Sequence, residues 1–341
     1  MLNNGIKRNK WLLILIPTFL FFIFILQLEP LEPLTKFHCR LASFKNRTHI
    51  QPDTSLASDI FFIESTCSEE LSVRQACSIE SACVHNPDSV IALKHLAPYL
   101  NELNPFLWAL RQYPNFRTIS INPAARVRGT VLEDWLLSGK WEPEEGVDGE
   151  YPATDISNAF RLLELVLDGG LYLDLDCVVL KPLNGLANIA GLEDSQYINT
   201  AVMQFNQTHH PIPTAALEKL VINWKGNTEE WGTSGPKLLT HILKEKFKCD
   251  MKPNFCASAN FEMLPPNAFY PISYEDYMWL LQPNNASEVF KSINDSFIVH
   301  MSNKLTRNSV IRVGDGSFYD LVAAQNCPTI YKLSNYTNGI L

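Results

Sequence analysis

Three patterns of apolar residues run along this chain. The first is continuous. From Trp11 to Leu28, "WLLILIPTFLFFIFILQL" passes without a charge, and at about 1.5 Å per helical residue such a run just crosses a bilayer core. The second is a set of short apolar, β-branched runs: "DIFFIES" (59–65), "SVIAL" (89–93) and "FRTISIN" (116–122), which predict strands. The third is periodic. Segments 71–87 and 130–141 read as helices, and 155–168 is the clearest. There Ile156, Ala159, Phe160, Leu163, Val166 and Leu167 share one face at helical spacing, and Gly169 supplies the stop. Asn158 and Arg161 lie one turn apart on the polar side. The run "GLYLDLDCVVL" that follows predicts another strand. Strands alternating with helices predict an α/β domain with a mostly parallel sheet. The last third, rich in Pro, Asn and aromatics, shows no clear period.

Charges orient the continuous run. Lys7, Arg8 and Lys10 precede it, and Glu29 and Glu32 follow it. A positive flank stays cytosolic, which predicts a tail at 1–10, a single transmembrane signal anchor at 11–28, a proline-containing stem at 29–58 and a lumenal domain at 59–341. A cleaved signal peptide, releasing a secreted form, is the rival. Its apolar region is usually about 7–15 residues and ends in small residues, whereas this run ends in "QLEPLEP". Eight cysteines and five glycan sequons, at Asn46, Asn206, Asn285, Asn294 and Asn335, fit an oxidising secretory compartment. Cys67 with Cys77, and Cys249 with Cys256, are close enough in sequence to bridge, although sequence leaves connectivity open. No cysteine–histidine spacing resembles a zinc site. A formal net charge of −8 argues against a nucleic-acid partner. Any anionic ligand must then be held by local groups or a metal.

Candidate chemistry centres on "DGGLYLDLDC" (168–177). On a strand, Asp174 and Asp176 project to one side, and Leu173, Leu175 and Cys177 to the other. Burying two bare carboxylates together costs several kcal/mol. A divalent cation such as Mg²⁺ or Mn²⁺ would offset this, and the end of a strand in an open α/β sheet is where ligands bind. The plainer reading of Asp-x-Asp alone is a strand that has reached water.

The surroundings favour the metal. From Arg161 to Asp176 the chain reads R-x7-GG-x-Y-x-D-x-D. "FFIES", "CSIES", "WGTSGPKLLT" (231–240), "LPPNAFYPI" (264–272) and "VHMSNK" (299–304) stand around it. In content and order these resemble the α-1,4-galactosyltransferase and α-1,4-N-acetylglucosaminyltransferase family over about residues 59–333. The resemblance implies a GT-A-type nucleotide-sugar-binding fold, a type II Golgi membrane protein, a UDP-sugar donor, and Mn²⁺ or another divalent cation. It also implies retaining transfer of galactose or N-acetylgalactosamine in α-1,4 linkage to a terminal sugar of a glycolipid, or of a glycoprotein glycan. Carried onto this chain, Asp174 and Asp176 would hold the metal on the diphosphate, Asp176 more directly, with His300 as a third ligand. Arg161 would contact the donor sugar and Tyr172 would support the site. Glu64 and Ser65 would lie near the nucleotide, and Cys77 and Cys177 would be packing or disulfide residues. The motifs place no second carboxylate as a nucleophile, which favours same-face attack.

Three positions depart from the family pattern. Asn158 stands where an aspartate is usual, with Asp155 one turn earlier as a partial substitute. Ser302 replaces a tryptophan at the donor diphosphate. Thr233-Ser234 stands where the family often carries His, Asn or Gln. These departures carry the alternative expectation: a divergent Golgi protein that binds UDP-sugar or glycan with weak or no catalysis.

Overall fold

The computed structural model describes residues 58–139, 141, 152–224 and 232–341. The expected tail, membrane span and stem (apart from Ser58) lie outside these residues. Among the described residues no helix is long and apolar enough to cross a membrane.

The core is an eight-stranded mixed sheet. Its strands are β1 (Ile60–Glu64), β2 (Ile91–His95), β3 (Phe116–Ser120), β4 (Gly170–Leu173), β6 (Ile189–Leu192), β7 (Ile198–Phe205), β8 (Asn254–Cys256) and β9 (Phe261–Leu264). They lie in the order β3-β2-β1-β4-β7-β6-β9-β8. The half from β3 to β4 is parallel, as the alternation of strands and helices predicts. Beyond β4 the sheet is mixed: β7 is antiparallel to β4 and to β6, β9 is parallel to β6, and β8 is antiparallel to β9. Because Leu173 pairs with Val202 and Leu192 with Ile198, the exit of β4, the start of β7 and the exit of β6 share one end of the sheet. A separate antiparallel ribbon joins β5 (Cys177–Val179) to β10 (Ile298–His300), with His300 opposite Cys177.

This topology corrects the expected continuous strand through 170–180. The chain leaves the sheet after Leu173, and Asp174–Asp176 form a turn closed by Cys177 N–H to Asp174 O at 3.0 Å. The physical reason is burial: β4 is a central strand, and two carboxylates cannot continue a ladder walled on both sides. The preceding Gly-Gly also has a cause. Gly169 and Gly170 have φ of +71° and +92°, and a Cβ on either would come within 2.9 Å of a backbone oxygen. Only glycine turns from helix into strand there.

Among the longer helices, α1 (Val73–His85) opens with a capping box of Ser72 and Gln75. The "CSIES" segment on α1 is structural. Cys77 is disulfide-bonded to Cys327, not to Cys67. Glu80 accepts backbone N–H groups of Thr329 and Ile330, and Ser81 Oγ accepts Val179 N–H. Cys249–Cys256 pairs as its spacing suggests. The 130–141 segment is helical only over Glu133–Leu137, ending before Gly139 at φ +77°.

Helix α2 (Pro152–Leu167) matches the clearest sequence period, but its expected polar side is buried too. Asn158 and Arg161 are 5% and 6% exposed, and Glu164 is fully buried. Glu164 sits in a four-charge cluster with Lys94 of β2, Arg126 and Asp168. Opposed charges let a charged residue face the interior. Helices α3 (Pro211–Asn223) and α4 (Pro236–Glu245) pack around α2 and β7.

Candidate active site

At the shared sheet end, α2, the β4–β5 turn and β10 bring five expected site residues together: Arg161, Tyr172, Asp174, Asp176 and His300. Arg161 is fixed from several sides. It donates to Thr200 O at 3.0 Å and Ser157 Oγ at 3.0 Å, its guanidinium lies over the Tyr172 ring at 4.6 Å, and it pairs with Asp174 Oδ1 at 3.0 Å. The Tyr172 hydroxyl donates to the same Asp174 oxygen at 2.5 Å. Asp174 N–H in turn donates to Ala201 O of β7.

Asp176 faces the ribbon. Its Oδ1 lies 3.2 Å from His300 Nε2, and Oδ2 accepts Asn303 N–H at 2.7 Å. Asp174 Oδ2 is 4.0 Å from the same imidazole nitrogen. Thus both carboxylates converge on His300, as the sequence suggested, but from a turn rather than a strand face. The "LPPNAFYPI" segment braces this arrangement: Ala268 O and Phe269 O accept Phe297 N–H and His300 N–H. The Tyr270 ring stands edge-on to the imidazole at 5.8 Å.

Electrostatics follow from these contacts. Burial opposes a charged His300, but the adjacent Asp176, with Asp174 behind it, outweighs burial and lifts the imidazole to about 9. Burial would raise Asp176, yet His300 and the Asn303 N–H hold it below its usual value. Protein cations therefore already balance the two aspartates, so charge alone does not demand a metal. The donor types do fit one: Asp176 Oδ1 and His300 Nε2 lie 3.2 Å apart, Asp174 Oδ2 stands 4.0 Å from the same nitrogen, and oxygen with imidazole suits Mn²⁺. A metal there would displace the imidazolium proton. Cys177 Sγ is also close to Asp176 and His300, but it is buried and its thiol is pushed well up, foremost by burial. It stays neutral and belongs to the core.

The other expected residues take supporting places. Glu64 ends β1 but turns away, accepting Thr66 N–H, the Thr66 hydroxyl and Ser68 N–H, and burial raises its pKa. Ser65 donates to Ala153 O. Asn158 donates to Ser234 Oγ at 2.8 Å, and that hydroxyl donates to Asp155 at 2.6 Å. Asp155 and Ser234 therefore form one network with Asn158, which ties "WGTSGP" to α2. Ser302 has φ +49° and leads into the turn Asn303–Thr306, so its backbone sets the Asn303 N–H that grips Asp176. Sequence reasoning missed Thr200, Asn199 and Glu193, which sit in no recognisable motif. The signal available was position, just before and just within the second apolar run after the Asp-x-Asp turn.

Two family descriptions match successive parts of the chain. Residues 72–196 match the glycosyltransferase sugar-binding region containing DXD motif, and residues 205–334 match the alpha 1,4-glycosyltransferase conserved region. Human lactosylceramide 4-alpha-galactosyltransferase is 28% identical over 280 residues, covering 80% of this chain and 76% of that protein. Human alpha-1,4-N-acetylglucosaminyltransferase is 26% identical over 308 residues, covering 86% and 85%. Among solved structures, a galactosyltransferase in complex with donor and acceptor sugar analogs aligns at 12% identity with a TM-score of 0.40. That alignment covers 80% of this chain and 95% of the other.

Proposed function

The chain belongs to the α-1,4-glycosyltransferase family with a DXD-containing sugar-binding region, and from that premise we propose that it is a retaining, metal-dependent hexosyltransferase of the Golgi lumen. In this reading it has a GT-A-type fold carried on a type II membrane anchor. It moves galactose or N-acetylgalactosamine from a UDP-sugar in α-1,4 linkage to a terminal sugar of a glycosphingolipid. The observation that carries the reading is that the fold brings both aspartates of the turn, Asp174 and Asp176, beside His300 at the sheet end.

Asp176 and His300, with Asp174 Oδ2, would hold Mn²⁺. When bound, the metal takes up negative charge on the departing diphosphate. Arg161 and Tyr172 hold Asp174 through its other oxygen, which leaves Oδ2 on the His300 side, where it could serve a metal. Asn303 N–H fixes the second oxygen of Asp176 in the same way. Pre-set groups of this kind stabilise developing charge without reorganising during the step. Asn158 lies one turn along α2 from Arg161, bonded to Ser234 and through it to Asp155, and this network would read the sugar.

A second reading rests on two observations. The Asn158 amide is spent on Ser234, and Ser302 offers no ring to the diphosphate. Both fit a UDP-sugar or glycan binder with weak or no catalysis. A panel of radiolabelled UDP-sugars, offered with glycolipid acceptors with and without Mn²⁺, tests the choice. Metal-dependent transfer from any donor supports the transferase, whereas metal-dependent binding without turnover supports the binder.

A further inference from the structure

Resting on the transferase reading, we infer that Glu193 is a catalytic carboxylate, oriented by Asn199, that faces the positive charge developing on the donor sugar. Glu193 follows β6 at the same sheet end as Asp174. Its N–H donates to Tyr197 O at 2.9 Å, closing the tight β6–β7 connection and fixing where the side chain leaves the backbone.

Asn199, 5% exposed, supplies the orientation. Its Oδ1 accepts Ala201 N–H at 2.8 Å, which leaves its amide hydrogens to donate, and they reach Glu193. Ala201 O is the group that accepts Asp174 N–H. One short chain of hydrogen bonds therefore runs from Glu193 through Asn199 and Ala201 to the acidic turn. On the other flank, Gly191 lies flat against Tyr270: a Cβ there would come within 2.8 Å of the ring. Tyr270 in turn stands edge-on to His300.

The carboxylates around the site differ in what occupies them. Asp174 is tied to Arg161 and Tyr172, Asp176 to His300 and Asn303, Glu64 to its own loop, and Asp155 to Ser234. Glu193 is half-buried, and no lysine or arginine among the described residues pairs with it. Burial raises the Glu193 pKa, and His300 and the Asn199 amide act against that. A carboxylate held by one amide, at the edge of a polar site, suits a cationic centre that forms transiently. The balance is simple. As the bond from C1 to the phosphate oxygen breaks, its electron pair leaves with UDP. The acceptor oxygen bonds C1, and the acceptor proton passes to the departing phosphate. Glu193 changes no bond; its charge stabilises the oxocarbenium-like sugar between these events.

The test uses the full chain carrying Glu193→Gln, Glu193→Asp or Asn199→Ala. It reads kcat and donor KM for transfer, UDP-sugar hydrolysis without acceptor, and the Kd of UDP with Mn²⁺. For Glu193→Gln the expected result is a loss of about 100-fold or more in kcat. Acceptor-free hydrolysis falls in parallel, donor KM stays within about threefold and UDP–Mn²⁺ affinity within about twofold. Glu193→Asp recovers part of the rate, and Asn199→Ala gives an intermediate loss of kcat. A kcat within threefold of wild type overturns the inference, as does a loss confined to acceptor KM or to UDP–Mn²⁺ affinity. A wild-type chain inert toward every UDP-sugar overturns the transferase reading and this role together. An active wild type with a fully active Glu193→Gln overturns this role alone.

Discussion

Replacing Glu164 with glutamine should unfold this domain far more readily than a single-atom change suggests. Glu164 is fully buried on α2, one turn beyond Arg161. It accepts Lys94 Nζ at 2.5 Å, Arg126 Nε at 2.8 Å and Arg126 Nη2 at 2.9 Å. Asp168 shares both cations, with Lys94 at 3.0 Å and Arg126 at 2.5 Å. Two cations against two carboxylates leave the cluster neutral. Glu164→Gln removes one negative charge and leaves a net positive charge around Lys94, which has no exposed surface. Breaking a buried pair on one side typically costs about 3–5 kcal/mol. At roughly 2–4 °C per kcal/mol for a domain of this size, Tm should fall by about 6–20 °C. Urea unfolding with the disulfides intact measures the loss directly. Adding Lys94→Met to Glu164→Gln should restore part of it, because the uncompensated cation goes too. A Glu164→Gln cost below about 1 kcal/mol, or a double variant less stable than Glu164→Gln alone, would refute the reasoning.

Two further expectations concern charge. Asp168 is raised by burial, but Arg126 and Lys94 more than reverse this, so its folded pKa lies below the unfolded value. Its contribution is present above the ordinary carboxylate range near 3.9 and is lost as pH falls through the folded pKa; Asp168→Asn should therefore show a shallower loss of stability below about pH 4 than wild type, and parallel curves would contradict this. Asn158→Asp places a second carboxylate against Asp155 around Ser234, where burial already raises Asp155. Like charge then pushes the carboxyl pKa values of the pair further up, and the donor preference or rate should change; an unaltered UDP-sugar profile would show the position to be idle.

Strands β1, β2 and β3 and helix α2 were legible because each is local: a short apolar run or a clean helical period decides it. The break after Leu173 was not. Apolar residues continue on both sides of the two aspartates, and only the crowding of a central strand forces the turn. The strands of the last third are three or four residues long and take their register from partners far away in sequence. Cys77–Cys327 spans 250 residues, a pairing no spacing rule reaches. At the candidate site, the motifs single out Arg161, Tyr172, Asp174, Asp176 and His300, and the fold brings these side chains together. The polarity of Asn158 and Arg161 suggested an outer face, whereas Thr200 and Ser234 make an inner polar wall for them. Glu193 and Asn199 carry no motif, and only the antiparallel return of β7 brings them to the acidic turn.

The account stands on Asp176 and His300 holding the metal that binds UDP. Asp176→Asn is the cleanest probe, since its amide oxygen can still accept Asn303 N–H and spare the fold, whereas an alanine would strand that N–H and the buried imidazole. Calorimetric titration of UDP, with Mn²⁺ and with chelator, measures the claim. Wild type should bind UDP only with Mn²⁺, and folded Asp176→Asn should lose that dependence together with most of the affinity. Equal UDP affinity in chelator and in Mn²⁺, or full Mn²⁺-dependent binding by Asp176→Asn, would contradict it.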